Sequence, residues 1–164
     1  MQEVIKYKIS FLRHQSVDRV FRALLNDDHI RNSVDTFFLM TANYLVMSQL
    51  VYEKKAAAYI LKDIPSNKCL GVFFAFRSGT QLYGHSFFRK HHGVNIIQVM
   101  SEIIRKMLCY FKKNGYEISE IIGQIPEKNL PAILVVERLG AKYRKTFFSD
   151  DHEPIVEYFL DCSK

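Results

Sequence analysis

From Leu82 to Lys142 the chain runs through an apolar strand pattern, a basic loop Arg89-Lys90-His91-His92-Gly93, a long amphipathic pattern and a second strand pattern. The segment Ile125-Pro126-Glu127-Lys128-Asn129-Leu130-Pro131-Ala132 follows and leads to Glu137-Arg138-Leu139-Gly140-Ala141. No other feature constrains the fold as much. A strand feeding a helix through a glycine-bearing basic loop turns the free N–H groups of the helix's first turn, and its positive dipole end, toward that loop. The result is a pocket suited to an anion. The helix is predicted over Val94 to Asn114: Ile96, Met100, Ile103, Met107 and Phe111 recur at three- and four-residue steps, Lys112-Lys113 sit in the last turn, and Asn114-Gly115 stop it.

The flanking segments supply a sheet for that helix. Val4 to Phe11 alternates apolar and polar residues and opens the sheet. Ser16 is an expected N-cap for a helix through Leu25, ending near Asn26-Asp27-Asp28, and a second helical stretch falls between Phe37 and Val51. Ala56 to Lys62 and Cys69 to Phe76 flank a turn-forming cluster and form a hairpin. Gln81 to Phe88 extends it into a meander, with Tyr83, His85 and Phe87 on one face and Leu82, Ser86 and Phe88 on the other. Tyr116 to Ile125 returns as a strand through a right-handed crossover. Asn129 caps a last helix stopped by Gly140, and Tyr143 to Phe148 pairs with Ile155 to Leu160 in a closing hairpin. The expectation is one mixed α/β domain spanning 1–164, with no internal repeat or linker.

The 164 residues, 48% of them apolar, are enough for one sizeable core, and a formal charge of +6 favours phosphates, nucleic acid or acidic partners without choosing among them. Basic pairs such as Lys54-Lys55 and Lys112-Lys113 are scattered, with no helix-turn-helix, zinc or RNA-recognition signature, which argues against nucleic acid. Cys69, Cys109 and Cys162 are odd in number and lie in or beside apolar runs, so they are expected as reduced, buried thiols. No metal-ligand spacing occurs: His91-His92 have no third partner nearby. Neither a signal-peptide pattern nor a membrane-length apolar run is present, and the expected location is cytoplasmic.

The element order and the second-half motifs resemble the GCN5-related N-acetyltransferase superfamily. The resemblance implies a mixed, mostly antiparallel sheet of about seven strands flanked by helices. Its fourth and fifth strands, here Gln81 to Phe88 and Tyr116 to Ile125, splay apart around acetyl-coenzyme A or another acyl-coenzyme A. The family's pyrophosphate loop maps onto Lys90-His91-His92-Gly93-Val94-Asn95, with Lys in the leading place, one glycine kept, and Asn95 where a small residue is usual. The later pattern maps onto Asn129, Ala132 and Leu139-Gly140-Ala141, with Val136 where a proton-donating tyrosine often stands. The implied coenzyme-binding residues are Phe87, Phe88, Lys90, His92, Gly93, Val94, Asn95 and Asn129. The segment Ile122 to Asn129 also resembles acetyltransferase-like proteins of bacteriophages, some of which serve in particle assembly.

For an acyltransferase, an amine attacks the thioester carbonyl, and a backbone N–H near His85 to Phe88 stabilises the developing oxyanion. His85 is the candidate base, with hydrogen-bonded core packing as its other reading. Tyr143 is the candidate acid, or else packing in a closing strand. The loop from Arg89 to His92 is either a phosphate site or a solvated charge cluster. Two further classes stay open: a catalytically degenerate interaction module, for instance a virion component, and a nucleic-acid binder.

Overall fold

The computed structural model describes residues 6–33, 44–90 and 93–163. Its elements run β1 Tyr7–Phe11, α1 His14–Leu25, α2 Asp28–Ser33, α3 Tyr44–Tyr52, β2 Ala56–Asp63, β3 Cys69–Ser78 and β4 Gln81–Phe88. They continue with α4 Ile96–Lys113, β5 Glu120–Pro126, α5 Leu130–Arg138, β6 Lys142–Phe148 and β7 Pro154–Asp161. One seven-stranded sheet has the order β1-β2-β3-β4-β5-β7-β6. Every pairing is antiparallel except β4 with β5. The last strand therefore inserts between β5 and β6, which the hairpin pattern alone does not indicate.

Period-two alternation divides the sheet into two cores. On one face α4 buries Val99, Met100, Ile103, Met107 and Phe111 against Leu61, Phe73, Leu82 and Ile121. Full burial of side chains of this size contributes roughly 1.5–3 kcal/mol each, so this stripe fixes α4 to the sheet. On the other face Val17, Phe21 and Leu24 of α1, Ile30 of α2, and Met47 and Val51 of α3 cover Ala58, Val72, Phe74 and Phe87. Beside α4, helix α5 packs Ala132, Ile133 and Val136 over Ile125, Val156 and Tyr158.

Several expectations need correction. Helix α1 begins at His14: the Ser16 N–H donates to the Arg13 carbonyl at 2.9 Å, and Ser16 lies inside the first turn. Asp27 does not simply end that helix, because its Oδ1 accepts the His29 and Ile30 N–H groups at 3.0 and 3.3 Å and starts α2. Strand β5 begins at Glu120, and Tyr116 is drawn out of it by its N–H bond to the Phe111 carbonyl at 3.0 Å and by Arg77 lying 4.0 Å over its ring. Cys109 is exposed on α4, whereas Cys69 and Cys162 are half-buried; all three are free thiols. The expected start of the first strand at Val4, the portion of the second helical stretch before Tyr44, and His91 and His92 lie outside the described residues.

Candidate functional site

Strands β4 and β5 pair over only four rungs, Gln81↔Glu120 to Gly84↔Gly123. Beyond Gly84, β4 stays with β3 out to Phe88, and beyond Gly123, β5 stays with β7 out to Pro126. The sheet splits there into a cleft of about 920 Å³. Its walls are mostly apolar, with Leu70, Met100, Ile104, Val135 and Leu139 on the α4–α5 side.

The backbone at the split is polar. The Arg89 N–H donates to Leu70 O at 2.8 Å, which sets the alternation along β4. Odd-numbered residues therefore turn their backbone groups to β3, and the N–H groups of Ser86 and Phe88 face the gap. Across it, the bonds of Cys162 N with Ser119 O and of Glu127 N with Pro154 O commit odd-numbered β5 residues to β7, so the carbonyls of Gln124 and Pro126 face the gap. Each of these residues turns its N–H and its C=O to the same edge, so both lips carry donors and acceptors, with Pro126 adding an acceptor only.

Two helix N-termini border the same cleft. Asn95 caps α4, its Oδ1 accepting the Gln98 N–H at 3.2 Å, and Asn129 caps α5, accepting the Ala132 N–H at 3.3 Å with Pro131 in the first turn. Val94, Ile96, Asn129 and Pro131 all line the cleft, so both positive dipole ends bear on it. Gly93 leads into α4 at φ +89°, where a side chain would be strained. Lys90 lines the cleft and is exposed. Arg89 lines the cleft too, with its Nη1 3.7 Å from Asp27 Oδ2.

The remaining sequence-predicted residues fall in different places. Phe88 reaches the cleft from the α4 face, and Phe87 lines it from the opposite face, 2% exposed with its ring edge-on to Phe21 at 5.4 Å. His85 lines the cleft and stacks on Phe76 at 6.2 Å, and Phe76 stacks on Tyr83 at 5.2 Å. Burial pushes the His85 imidazole down to about 4, so at neutral pH it is uncharged. Tyr143 stands on the edge strand β6, 55% exposed and outside the cleft lining, its hydroxyl 2.9 Å from Thr146 Oγ1. The geometry does not bring it to His85.

Two cleft residues were missed by the motif reading. Tyr158 lies opposite Gly123 beside Val136, and its hydroxyl donates to Glu137 Oε1 at 2.7 Å. That bond, with burial behind it, holds the phenol above its ordinary range, and the proton points at Glu137. Gln124 is the other, bonded to Glu157. Its signal was available as a polar side chain inside the apolar run Ile121-Ile122-Gly123-Gln124-Ile125. Among the described residues no group of three His, Cys, Asp or Glu side chains could hold a metal, and no helix is long and apolar enough to cross a membrane.

No family model and no curated protein matches the chain. Solved structures do. A putative acetyltransferase from Acinetobacter baylyi ADP1 superposes with a TM-score of 0.72 at 16% identity, over 100% of this chain and 96% of that one. The spermidine N-acetyltransferase from Vibrio cholerae, in complex with CoA and spermine, gives 0.67 at 12% identity over 96% of each chain. The aminoglycoside acetyltransferase AAC(6')-Ib, with coenzyme A and kanamycin, gives 0.62 at 13% identity over 96% and 95%. The mixed seven-stranded sheet with its split between β4 and β5 is thus the fold of the GCN5-related N-acetyltransferases. At these identities the likeness concerns the fold.

Proposed function

We propose that this chain is an acyl-coenzyme A-dependent N-acyltransferase that passes an acetyl or related acyl group directly to an amine. The observation that carries the reading is the split between β4 and β5, apolar inside, with two capped helix N-termini at its border. The apolar walls suit an acyl-pantetheine arm, and Gly93, Lys90 and the helix ends suit its pyrophosphate. Asn95 works against this by occupying the Gln98 N–H. Neighbours of the same fold that hold coenzyme A together with spermine or kanamycin support both halves of the reading, the thioester and the amine.

In the reaction the amine nitrogen bonds to the thioester carbonyl carbon, the carbon–sulfur bond breaks, and the proton lost by nitrogen balances the one gained by sulfur. The gap-facing N–H groups of Ser86 and Phe88 are donors for the carbonyl oxygen as it gains charge. His85 lines the cleft and is the group placed to receive the amine's proton, although the desolvation that holds its imidazole down to about 4 weakens it as a base. Tyr143, exposed on β6, takes no part, and the sulfur takes its proton from solvent.

Val136 favours a second reading, a protein that keeps the fold as an interaction module, a phage particle component among the options. One measurement separates the two. With acetyl-coenzyme A at about a hundred times its dissociation constant the native state gains about 2.7 kcal/mol, a clear rise in melting temperature. Gly93→Asp removes that rise, because a carboxylate and a strained φ replace the glycine; His85→Ala keeps it and lowers turnover. A flat melting temperature in the unaltered protein refutes the enzyme.

A further inference from the structure

Away from the gap between β4 and β5, the sheet carries a row of positive charge for which acyl transfer has no use. Lys8 and Lys62 are direct cross-strand partners on β1 and β2. Lys62 is paired in turn with Cys69 on β3, where the register shifts after Leu61, and the bond from the Arg89 N–H to Leu70 O carries the row just past the end of β4. All four side chains stand on the face that α1 and α2 cover. Lys62 follows Ala58 and Ile60 there, Arg89 follows Phe87, Cys69 packs on the same core, and Lys8 alternates with Tyr7 and Ile9, which pack toward α4. Burial pushes the Cys69 thiol up, while its bond to the Gly71 carbonyl and the charges of Arg89 and Lys62 pull it down, so both cations stand near it. Neighbouring strands lie about 4.8 Å apart, so the row runs roughly 14 Å from Lys8 to Arg89.

The row is short of negative charge. Among the described residues no carboxylate oxygen lies within 4.0 Å of the ammonium of Lys6, Lys8 or Lys62. Asp63, next to Lys62, is the partner of Tyr7 on the other face and takes the Ser66 N–H at 3.1 Å. Asp27 reaches the row at 3.7 Å from Arg89 Nη1, yet Arg89 Nε is buried with no hydrogen-bond partner. Like charges directly opposite on a ladder destabilise it, and a buried donor left unmade costs free energy as well. An anion with several charged groups, lying along the row, relieves both. Lys62, Cys69 and Arg89 are half-buried, and Ile30 of α2 packs in the same core as Cys69, so the row is recessed beside that helix. Such a trough fits a thin chain of phosphates better than the broad surface of a nucleic-acid duplex or a bilayer.

We propose that the row of Lys8, Lys62 and Arg89 is a second binding site, for a soluble linear oligophosphate. Lys8 and Lys62, on Cβ atoms about 5 Å apart, converge on one phosphate group as point charges. Arg89 takes a group further along the chain with the planar fork of its guanidinium, Nε included. Lys6, whose carbonyl accepts the Ile64 N–H at 2.9 Å and extends the β1–β2 ladder, adds charge at the outer end. The site lies on the face opposite α4 and its Gly93 entry, and it meets the cleft only at Arg89. It does not depend on the acyltransferase reading.

The test is a titration of the full chain with sodium tripolyphosphate at low salt, followed by melting temperature and by calorimetry. The unaltered protein is expected to show a saturable rise in melting temperature, and Gly93→Asp, altered on the other face, is expected to keep it. The pair Lys8→Gln/Lys62→Gln is expected to weaken tripolyphosphate binding by about tenfold or more, since each lysine gives a charged hydrogen bond, and to leave the response to acetyl-coenzyme A as in the unaltered protein. Lys112→Gln/Lys113→Gln removes the same charge from the last turn of α4 and is expected to leave tripolyphosphate affinity unchanged. Lys8→Gln alone, on the exposed edge strand, reads the same loss in smaller measure should the first pair not fold. No rise in the unaltered protein, equal weakening by both lysine pairs, or binding that Gly93→Asp abolishes and Lys8→Gln/Lys62→Gln spares overturns the site. An altered response to acetyl-coenzyme A in Lys8→Gln/Lys62→Gln overturns its separation from the cleft. Tighter, Lys62-dependent binding of a DNA duplex or of phosphatidylserine vesicles overturns the choice of ligand.

Discussion

The burial of His85 makes a quantitative demand on how stability depends on pH. Its imidazole titrates near 6.5 when solvated and near 4 in the fold. Between those values the unfolded chain binds a proton that the native state refuses, so stability rises with pH through this window and is lost as pH falls through it. Fully expressed, the difference is up to about 3 kcal/mol, because each tenfold loss of proton affinity on folding is worth about 1.4 kcal/mol. Populations at intermediate pH give a loss of about 1.4 kcal/mol by pH 5.5 and about 2.6 kcal/mol by pH 4.5 relative to pH 8. Those are large fractions of the 5–15 kcal/mol typical of a domain. The perturbation is His85→Phe, which keeps a flat ring against Phe76 and removes the titration. Urea unfolding at pH 8, 5.5 and 4.5 is the assay. Every other ionisable group is common to the two proteins and cancels in the comparison. The variant is expected to lose about 2.6 kcal/mol less than the parent between pH 8 and 4.5, whatever its absolute stability. Parallel pH profiles for the two proteins would falsify the assignment of His85 as a buried neutral imidazole.

Three further outcomes follow from the same geometry. Asn129→Ala removes the α5 cap and is expected to cost about 1 kcal/mol in denaturant unfolding, with a weaker acetyl-coenzyme A melting shift, because the cap lines the cleft. Asn95→Gly costs only a few tenths of a kcal/mol and releases the Gln98 N–H, so calorimetric titration with coenzyme A should give tighter binding; unchanged affinity would mean that the α4 terminus does not meet the phosphates. Gly71→Ala puts a Cβ 2.1 Å from Phe88 Cδ1 and 2.6 Å from the Phe87 carbonyl oxygen, which forces β3 and β4 apart. A loss of roughly 1–3 kcal/mol is expected, and a melting temperature equal to the parent's would contradict the close strand approach.

Much of the cleft's framework was legible in the chain because its signals are local. The α4 stripe, the Asn129-Leu130-Pro131 start of α5 and the span of β4 each depend on residues a few positions apart. What the motifs missed depends on distant partners. Tyr143 fits an acid by its place just after α5, but β7 occupies the position beside β5 and pushes β6 to the edge, so Tyr143 faces solvent while Tyr158 lines the cleft. Asn95 looks like a mere departure from a glycine-rich loop, and its capping bond shows why an Asn serves there.

The order of residues along the chain was thus enough to specify the elements, the two faces of β4 and the anion-suited ends of α4 and α5, since periodicity and capping are written within single turns and strands. The splay of β4 and β5 was implied by the family resemblance, but three details arose only once the sheet was assembled: the strands part after Gly84 and Gly123, His85 is half-buried and neutral, and Gln124 donates to Glu157 across 33 residues of sequence. Those depend on register between strands far apart in the chain, which packing of the whole sheet selects and no short window of residues encodes.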